Sequence, residues 1–177
     1  MSAQEQFEPG VLDEQAWVQR LLRLGAQQGL QIAALRERDP RNLELILASA
    51  ALFLPATRMV TEHDANGRLR SFLEGPGRML GIDCGELCQA LISLGYAVQS
   101  PSSADLRRGN LPDWLAPTAL SLTAETLQRA DQDAQQAQQR SREALQAAWL
   151  ERTTLAIEVS EADAPVADPD PVFMRLA

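Results

Sequence analysis

From Leu12 onward the apolar residues of this chain recur at helical intervals: Trp17, Leu21, Leu24, then Leu30 and Leu35. That spacing places them on one face of a helix. Gly25 and Gly29 weaken it, and Asp39-Pro40 ends it, because proline disfavours helix in the residue before it. A second helix is predicted over 40–54, with Leu43, Ile46, Leu47, Ala50 and Leu54 as its stripe. Its far side carries Ala and Ser instead of charge. We therefore expect burial all round and a central core helix, stopped by Pro55. The next stretch, RMVTEHDANGRLRSFL at 58–73, has β-compatible flanks around Asn66-Gly67, a tight-turn signal. It predicts a small β-hairpin. The rival is a calcium loop with Gly67 at its sixth position and Glu62, Asp64 and Asn66 at the first, third and fifth. Its twelfth position needs a bidentate glutamate and holds Leu73, which argues against calcium.

The pattern then changes to GRMLGIDCGELCQALISLGY, residues 77–96. Gly75-Pro76 opens a short helix to Leu80, and Gly81 supplies a turn. Asp83 suits an N-cap and Glu86 falls three residues later, the spacing of a capping box. These carboxylates thus have a structural job, and we do not read them as an acid–base pair. The helix continues through Leu87, Leu91 and Leu94 to Gly95, a natural stop, and Tyr96 to Val98 look extended. Leu80-Gly81-Ile82 with Leu87, Leu91, Leu94 and Gly95 is similar to Fis-type helix-turn-helix segments, over about twenty residues of the 177. The resemblance implies two packed helices and a DNA-reading face. The residues available to read are Asp83, Cys84, Gly85, Glu86, Gln89, Ala90 and Ser93. Of these, Gln89 and Ser93 suit base edges, whereas Asp83 and Glu86 repel phosphate. Arg68, Arg70 and Arg78 upstream and Arg107 and Arg108 downstream form a candidate backbone grip. Three readings stay open: a DNA reader, a helical hairpin or winged-helix-like core that binds protein, and plain core packing.

Residues 99–120 are broken by Pro101, Gly109, Pro112 and Pro117. Ser102 or Ser103 is placed to cap a short turn through Arg108, and Trp114 is expected to anchor onto the domain. From Thr123 to Ile157 there is no Gly or Pro, and strong helix formers dominate. This predicts a helix about 50 Å long. Its seam is Leu127, Ala130, Ala134, Ala137, Ser141, Ala144, Ala148, Glu151 and Leu155, stepping at heptad intervals. Alanine buries little area, so the seam permits close approach and holds weakly. Leu145, Trp149 and Leu150 bring larger side chains towards the C-terminal half. The seam suits a coiled-coil or groove-binding partner surface, or a helix folded back on its own domain. Its middle, Asp131 to Arg142, is polar enough to expect it in solvent. After Val159, SEADAPVADPDP reads as disordered, and it ends in an apolar cluster, Phe173, Met174 and Leu176, built like a docking peptide.

Charge and chemistry narrow the function. The chain has net charge −8 and no lysine, which opposes a general grip on nucleic acid or anionic membrane. Cys84 and Cys88, the two cysteines, sit four apart on one helix face, too far for an easy disulfide. With His63 as the single histidine they cannot supply the four ligands of a closed zinc site. We expect no metal, no cofactor and two apolar thiols. No P-loop, dinucleotide fingerprint or nucleophile elbow is present. No leader-like apolar segment or membrane span is seen, and the cytoplasm is the expected location. The expected fold is mainly α. A flexible tail over 1–10 precedes a helical globular domain over 11–120 with one small β-hairpin, a winged-helix-like arrangement being one form of it. A long amphipathic helix over 121–157 and a disordered acidic tail over 158–177 follow. The expected function is a non-enzymatic protein–protein interaction protein: an adaptor, regulatory subunit or assembly factor. It would engage another protein or a second copy of itself through Leu127, Ala130, Ala134, Ala137, Ala144, Leu145, Ala148 and Trp149, and through the tail residues Phe173, Met174 and Leu176. The alternative is a transcription regulator contacting DNA with Arg78, Gln89, Ser93, Arg107 and Arg108.

Overall fold

A computed structural model describes residues 11–162, with side chains described for residues 11–151. The tail predicted over 1–10, and Phe173, Met174 and Leu176, lie outside the described residues. The elements are α1 (Glu14–Gly25), α2 (Ile32–Arg38), α3 (Pro40–Ala51), α4 (Glu62–Glu74), α5 (Cys84–Ser93), β1 (Ala97–Gln99), β2 (Leu106–Arg108) and α6 (Ala124–Ala162). The protein is mainly helical, with one small antiparallel hairpin and a long C-terminal helix. It divides into two units, one ending at Gln135 and one starting at Gln136.

The core of the first unit is built around α3. Every residue from Leu45 to Ala51 is at most 1% exposed, as the charge-free far side predicted. The helix starts where Asp39 caps it, with Oδ1 accepting from the Asn42 amide at 3.1 Å and Pro40 in the first turn. It ends at Ala51, earlier than expected, although Leu52 to Leu54 stay buried. One polar side chain, Ser49, is taken inside. Its hydroxyl donates to the Leu45 carbonyl at 2.7 Å and accepts from Trp17 Nε1 at 2.7 Å. Trp17, fully buried on α1, is thereby fixed in position as well as in depth.

The continuous helix expected from Leu12 to Leu35 is two helices. The Leu30 backbone is drawn into a bridge instead: its N–H donates to the Met79 carbonyl at 2.8 Å and its carbonyl accepts from Gly81 at 3.2 Å. A residue spending both backbone groups on a neighbour cannot spend them on its own helix. The same bridge ties the segment after α4 to the N-terminal part of the domain.

The hairpin expected at 58–73 is not there; that stretch is α4. Thr61 Oγ1 accepts from the Asp64 amide at 3.2 Å, and Glu62 and Asp64 sit at the positive end of the helix. Ala65, Leu69 and Phe72 are fully buried. Their spacing of four and three is helical, and the burial it achieves outweighs the turn preference of Asn66-Gly67. His63 therefore lies in a helical first turn, exposed, and the residues of the supposed calcium loop cannot wrap an ion. The short helix expected from Pro76 to Leu80 is a run of turns. Gly77 is required there, since a Cβ would stand 2.3 Å from the Phe72 ring.

α5 follows the sequence reading closely. The Glu86 amide donates to Asp83 Oδ1 at 2.8 Å, and the Asp83 amide donates to Glu86 Oε2 at 3.2 Å. Leu87 and Leu91 are fully buried. Gly95 ends the element with φ +83°, a conformation that favours glycine. The chain then forms the hairpin, at 97–108. Ala97, Val98 and Gln99 pair with Arg108, Arg107 and Leu106, so the capped turn expected to reach Arg108 ends in a strand. Val60 pairs with the other edge of β2 at Leu106. The order is helix, short extended piece, helix, turn, helix, hairpin, with the extended piece on the far strand of the hairpin.

Trp114 anchors as expected. Its Nε1 donates to Glu44 Oε2 at 2.7 Å, and Arg41 lies 5.0 Å over its ring. Thr118 donates its hydroxyl to the Leu12 carbonyl. α6 opens on Thr123, whose Oγ1 accepts from the Thr126 amide at 3.2 Å, and runs through Ala162, past the predicted end at 157.

Ser49→Ala leaves the Trp17 N–H buried without an acceptor. It is expected to lower unfolding free energy by about 1–3 kcal/mol, measured by urea denaturation. Trp17→Phe on that background should add less than Trp17→Phe does alone; equal losses in both backgrounds would disprove the coupling.

Candidate functional site

Two of the surfaces expected to carry function fall within the described residues: the face of residues 75–96 with its flanking arginines, and the seam of α6. On the first, the side chains of Glu86, Gln89 and Ser93 are exposed on α5. Gln89 Nε2 bonds Ser93 Oγ at 3.3 Å, so the two groups suited to base edges face each other. The expected arginine grip is dispersed. Cross-strand partners share one side of a sheet, so Ala97, Arg108 and Leu106 define one face. Ala97 and Leu106 are buried, and burial lowers the pKa of Arg108 from its ordinary value. Arg108 is thus turned towards the domain. Arg107 lies on the opposite face, paired with Val98 and, by the Val60–Leu106 register, beside Met59. Met59 and Val98 are exposed apolar residues.

Arg78 is engaged in a different role. Its Nη1 lies 2.6 Å from Asp131 on α6, whose side chain is 3% exposed while that of Arg78 is 36%. The same carboxylate accepts from Gln135 Nε2 at 2.7 Å, and Arg78 also reaches the Gly75 carbonyl at 3.4 Å. The expectation that the polar stretch from Asp131 stands in solvent is therefore corrected at its first residue. Asp131 is buried because an arginine from the turn after α4 meets it. The sequence offered no signal for this pair, since the two are 53 positions apart. Beside it, Ser71, Glu74, Gln128 and Gln132 line an open polar cleft of about 350 Å³.

The α6 seam divides. Leu127 is buried and Ala130 and Ala134 are half-buried within the first unit, so they serve its own packing. In the second unit, every described side chain from Gln136 to Glu151 is exposed, including Ala137, Ala144 and Ala148. Leu145 is 72% exposed, Trp149 64% and Leu150 52%.

A further cleft, about 300 Å³, lies between α4 and α5. Glu62, Asn66 and Arg70 line one wall, and Cys84, Cys88 and Gln89 the other. Burial pushes both thiols above their ordinary pKa. For Cys84 the nearby Arg70 pulls the other way and Asp83 adds to the rise; for Cys88, Cys84 and Glu62 add to it. Neither is an activated nucleophile. Among the described residues no group of three or more His, Cys, Asp or Glu side chains is placed to hold a metal ion, and no helix is long and apolar enough to cross a membrane.

Compared with protein-family models, with curated proteins and with solved structures, the chain matches none.

Removing the partner of a buried carboxylate is destabilising. Arg78→Ala should reduce stability by about 2 kcal/mol, below the value for a fully buried pair because the guanidinium keeps solvent contact. Arg78→Ala with Asp131→Ala should lose less than the sum of the two single losses; additive losses in denaturation would refute the pairing.

Tyr96 gives a pH signature. Burial first, and then Glu44, raise its pKa to about 12. The neutral phenol is the form the fold favours, so its contribution is whole below the unfolded value near 10. It is lost as pH climbs from there through about 12. Stability against pH should fall over that interval, and Tyr96→Phe should flatten the fall.

Proposed function

We propose that this protein is a non-enzymatic interaction protein, an adaptor, regulatory subunit or assembly factor, whose partner surface is the second part of α6. The observation that carries the reading is the uninterrupted exposure from Gln136 to Glu151 on a helix that keeps Leu145 72% in solvent. Helices in water draw most of their stability from packing an apolar face. Ala137, Ala144, Leu145, Ala148 and Trp149 supply such a face for another polypeptide, a second copy of this chain included. The tail residues Phe173, Met174 and Leu176 belong to the same proposal on sequence grounds alone. Against catalysis stands the chemistry of the two clefts. One holds protonated thiols, and the other holds a carboxylate already committed to Arg78.

A DNA-binding reading has one observation in its favour: the order of elements from α3 to β2 is that of a winged helix-turn-helix. The charges weigh the other way. The outward start of α5 carries Asp83 and Glu86, Arg78 is held by Asp131, and Arg108 is turned inward. A net charge of −8 adds to the repulsion.

Size-exclusion chromatography with light scattering, and recovery of a stoichiometric partner from native lysate, test the proposal. Leu145→Asp should break the self-association or the partner complex with the fold intact by circular dichroism. A strictly monomeric chain that recovers no partner would end it. Gel shifts on duplex DNA at low salt should show no binding; a shift abolished by Arg107→Ala would move the DNA reading to first place.

A further inference from the structure

We propose that Cys84 and Cys88 form a two-sulfur site for a soft, two-coordinate metal cation, of which copper(I) is the representative. The argument starts from spacing. Residues four apart on a helix carry Cβ atoms about 5–6 Å apart on one face, and α5 places both thiols in the cleft against α4. Metal–sulfur bonds are about 2.3 Å long, so a linear sulfur–metal–sulfur unit spans about 4.6 Å. Two cysteine side chains on adjacent turns reach that span by rotation about χ1, without moving the backbone. A disulfide asks for Cβ atoms about 3.8 Å apart and would require the helix to distort.

The ligand count selects the cation. These are the two cysteines of the chain, and no third His, Cys, Asp or Glu joins them among the described residues. Zinc requires four ligands and is poorly served by two. A soft cation content with two thiolates is well served. The expectation of two inert apolar thiols gives way to this reading on one point. Both side chains are half-buried and open onto a cleft of about 300 Å³, and are not sealed in the core.

The surroundings fit a site that stays quiet until the cation arrives. The Cys84 thiol donates to the Asn66 carbonyl at 3.5 Å and to Asn66 Oδ1 at 3.6 Å, which holds its sulfur at the wall of the cleft. On binding, two sulfur–hydrogen bonds break and two sulfur–metal bonds form. Both protons leave to solvent and copper remains copper(I), so no oxidant or reductant is consumed. The pair then carries the net charge of two thiolates and one monovalent cation, beside Arg70.

The test uses the full chain under anaerobic conditions, titrated with copper(I) against a coloured copper(I) chelator. One copper per chain is expected, with release of protons on uptake. Cys84→Ser and Cys88→Ser should each weaken binding by at least roughly tenfold, with helicity unchanged. A second measurement is independent of mutation: one equivalent of copper(I) should protect both thiols of the unmodified chain from maleimide labelling. Zinc should give neither stoichiometric uptake nor protection. Uptake unchanged by either serine variant, one copper shared between two chains, or no protection of the thiols would each overturn the site.

Discussion

A helix buried on every side sets the terms for the whole first unit. α3 presents no face to water between Leu45 and Ala51, so everything else must be arranged to cover it. Such a helix tolerates a polar side chain only if its hydrogen bonds are met inside. Ser49 meets that condition with one bond back to its own helix and one from Trp17. The second bond matters more for the architecture. It converts a large aromatic that would otherwise be placed by shape alone into one placed by direction, and with it α1.

A similar logic governs the start of α6. Leu127 supplies an apolar contact, but an alanine-rich face defines position weakly because so little area changes when the helix slides. Asp131 removes that freedom. Its carboxylate is buried where Arg78 reaches it, with Gln135 of the same helix bonded to it, and a one-turn slip would take the charge away from Arg78. Buried ion pairs contribute little net stability against a well-packed apolar alternative. Their known use is to fix register, and register is what the alanine seam lacks.

How much of this could be read from the residues depends on the range of the cause. α3, the capping box on α5 and the stop at Gly95 were legible because each is written in a few neighbouring residues. α4 was misread for the same reason: Asn66-Gly67 is a strong local signal, and Ala65, Leu69 and Phe72 overrule it only once a core exists to bury them. The break between α1 and α2 depends on Leu30 finding Met79 and Gly81, some fifty positions on. The pairing of Arg78 with Asp131 is equally remote. Of the candidate surfaces, the exposure of α6 was legible only in its polar middle, up to Arg142; beyond it the residues left open whether the helix projects or folds back, and the side chains to Glu151 are exposed. The inward turn of Arg108 was not, because strand alternation places it only after the hairpin is located at 97–108 instead of 58–73.

That relocation bears on what the fold is for. A helix, a turn, a second helix and a hairpin are a scaffold for many surfaces, and the order of elements does not choose among them. The side chains do. A reading helix earns its place in a groove with donors and cations at its exposed start, and α5 has a carboxylate cap there instead. Moving that cap is not free, because the Asp83 and Glu86 oxygens satisfy backbone donors that the helix start would otherwise leave bare. The acidity of this surface is therefore a consequence of how the helix begins, and it biases whatever meets α5 towards groups that do not carry phosphate. Behind the cap, two successive turns bring Cys84 and Cys88 to the cleft with α4. The same ten residues thus present oxygen charge outward and soft ligands sideways, a division set by helical periodicity alone.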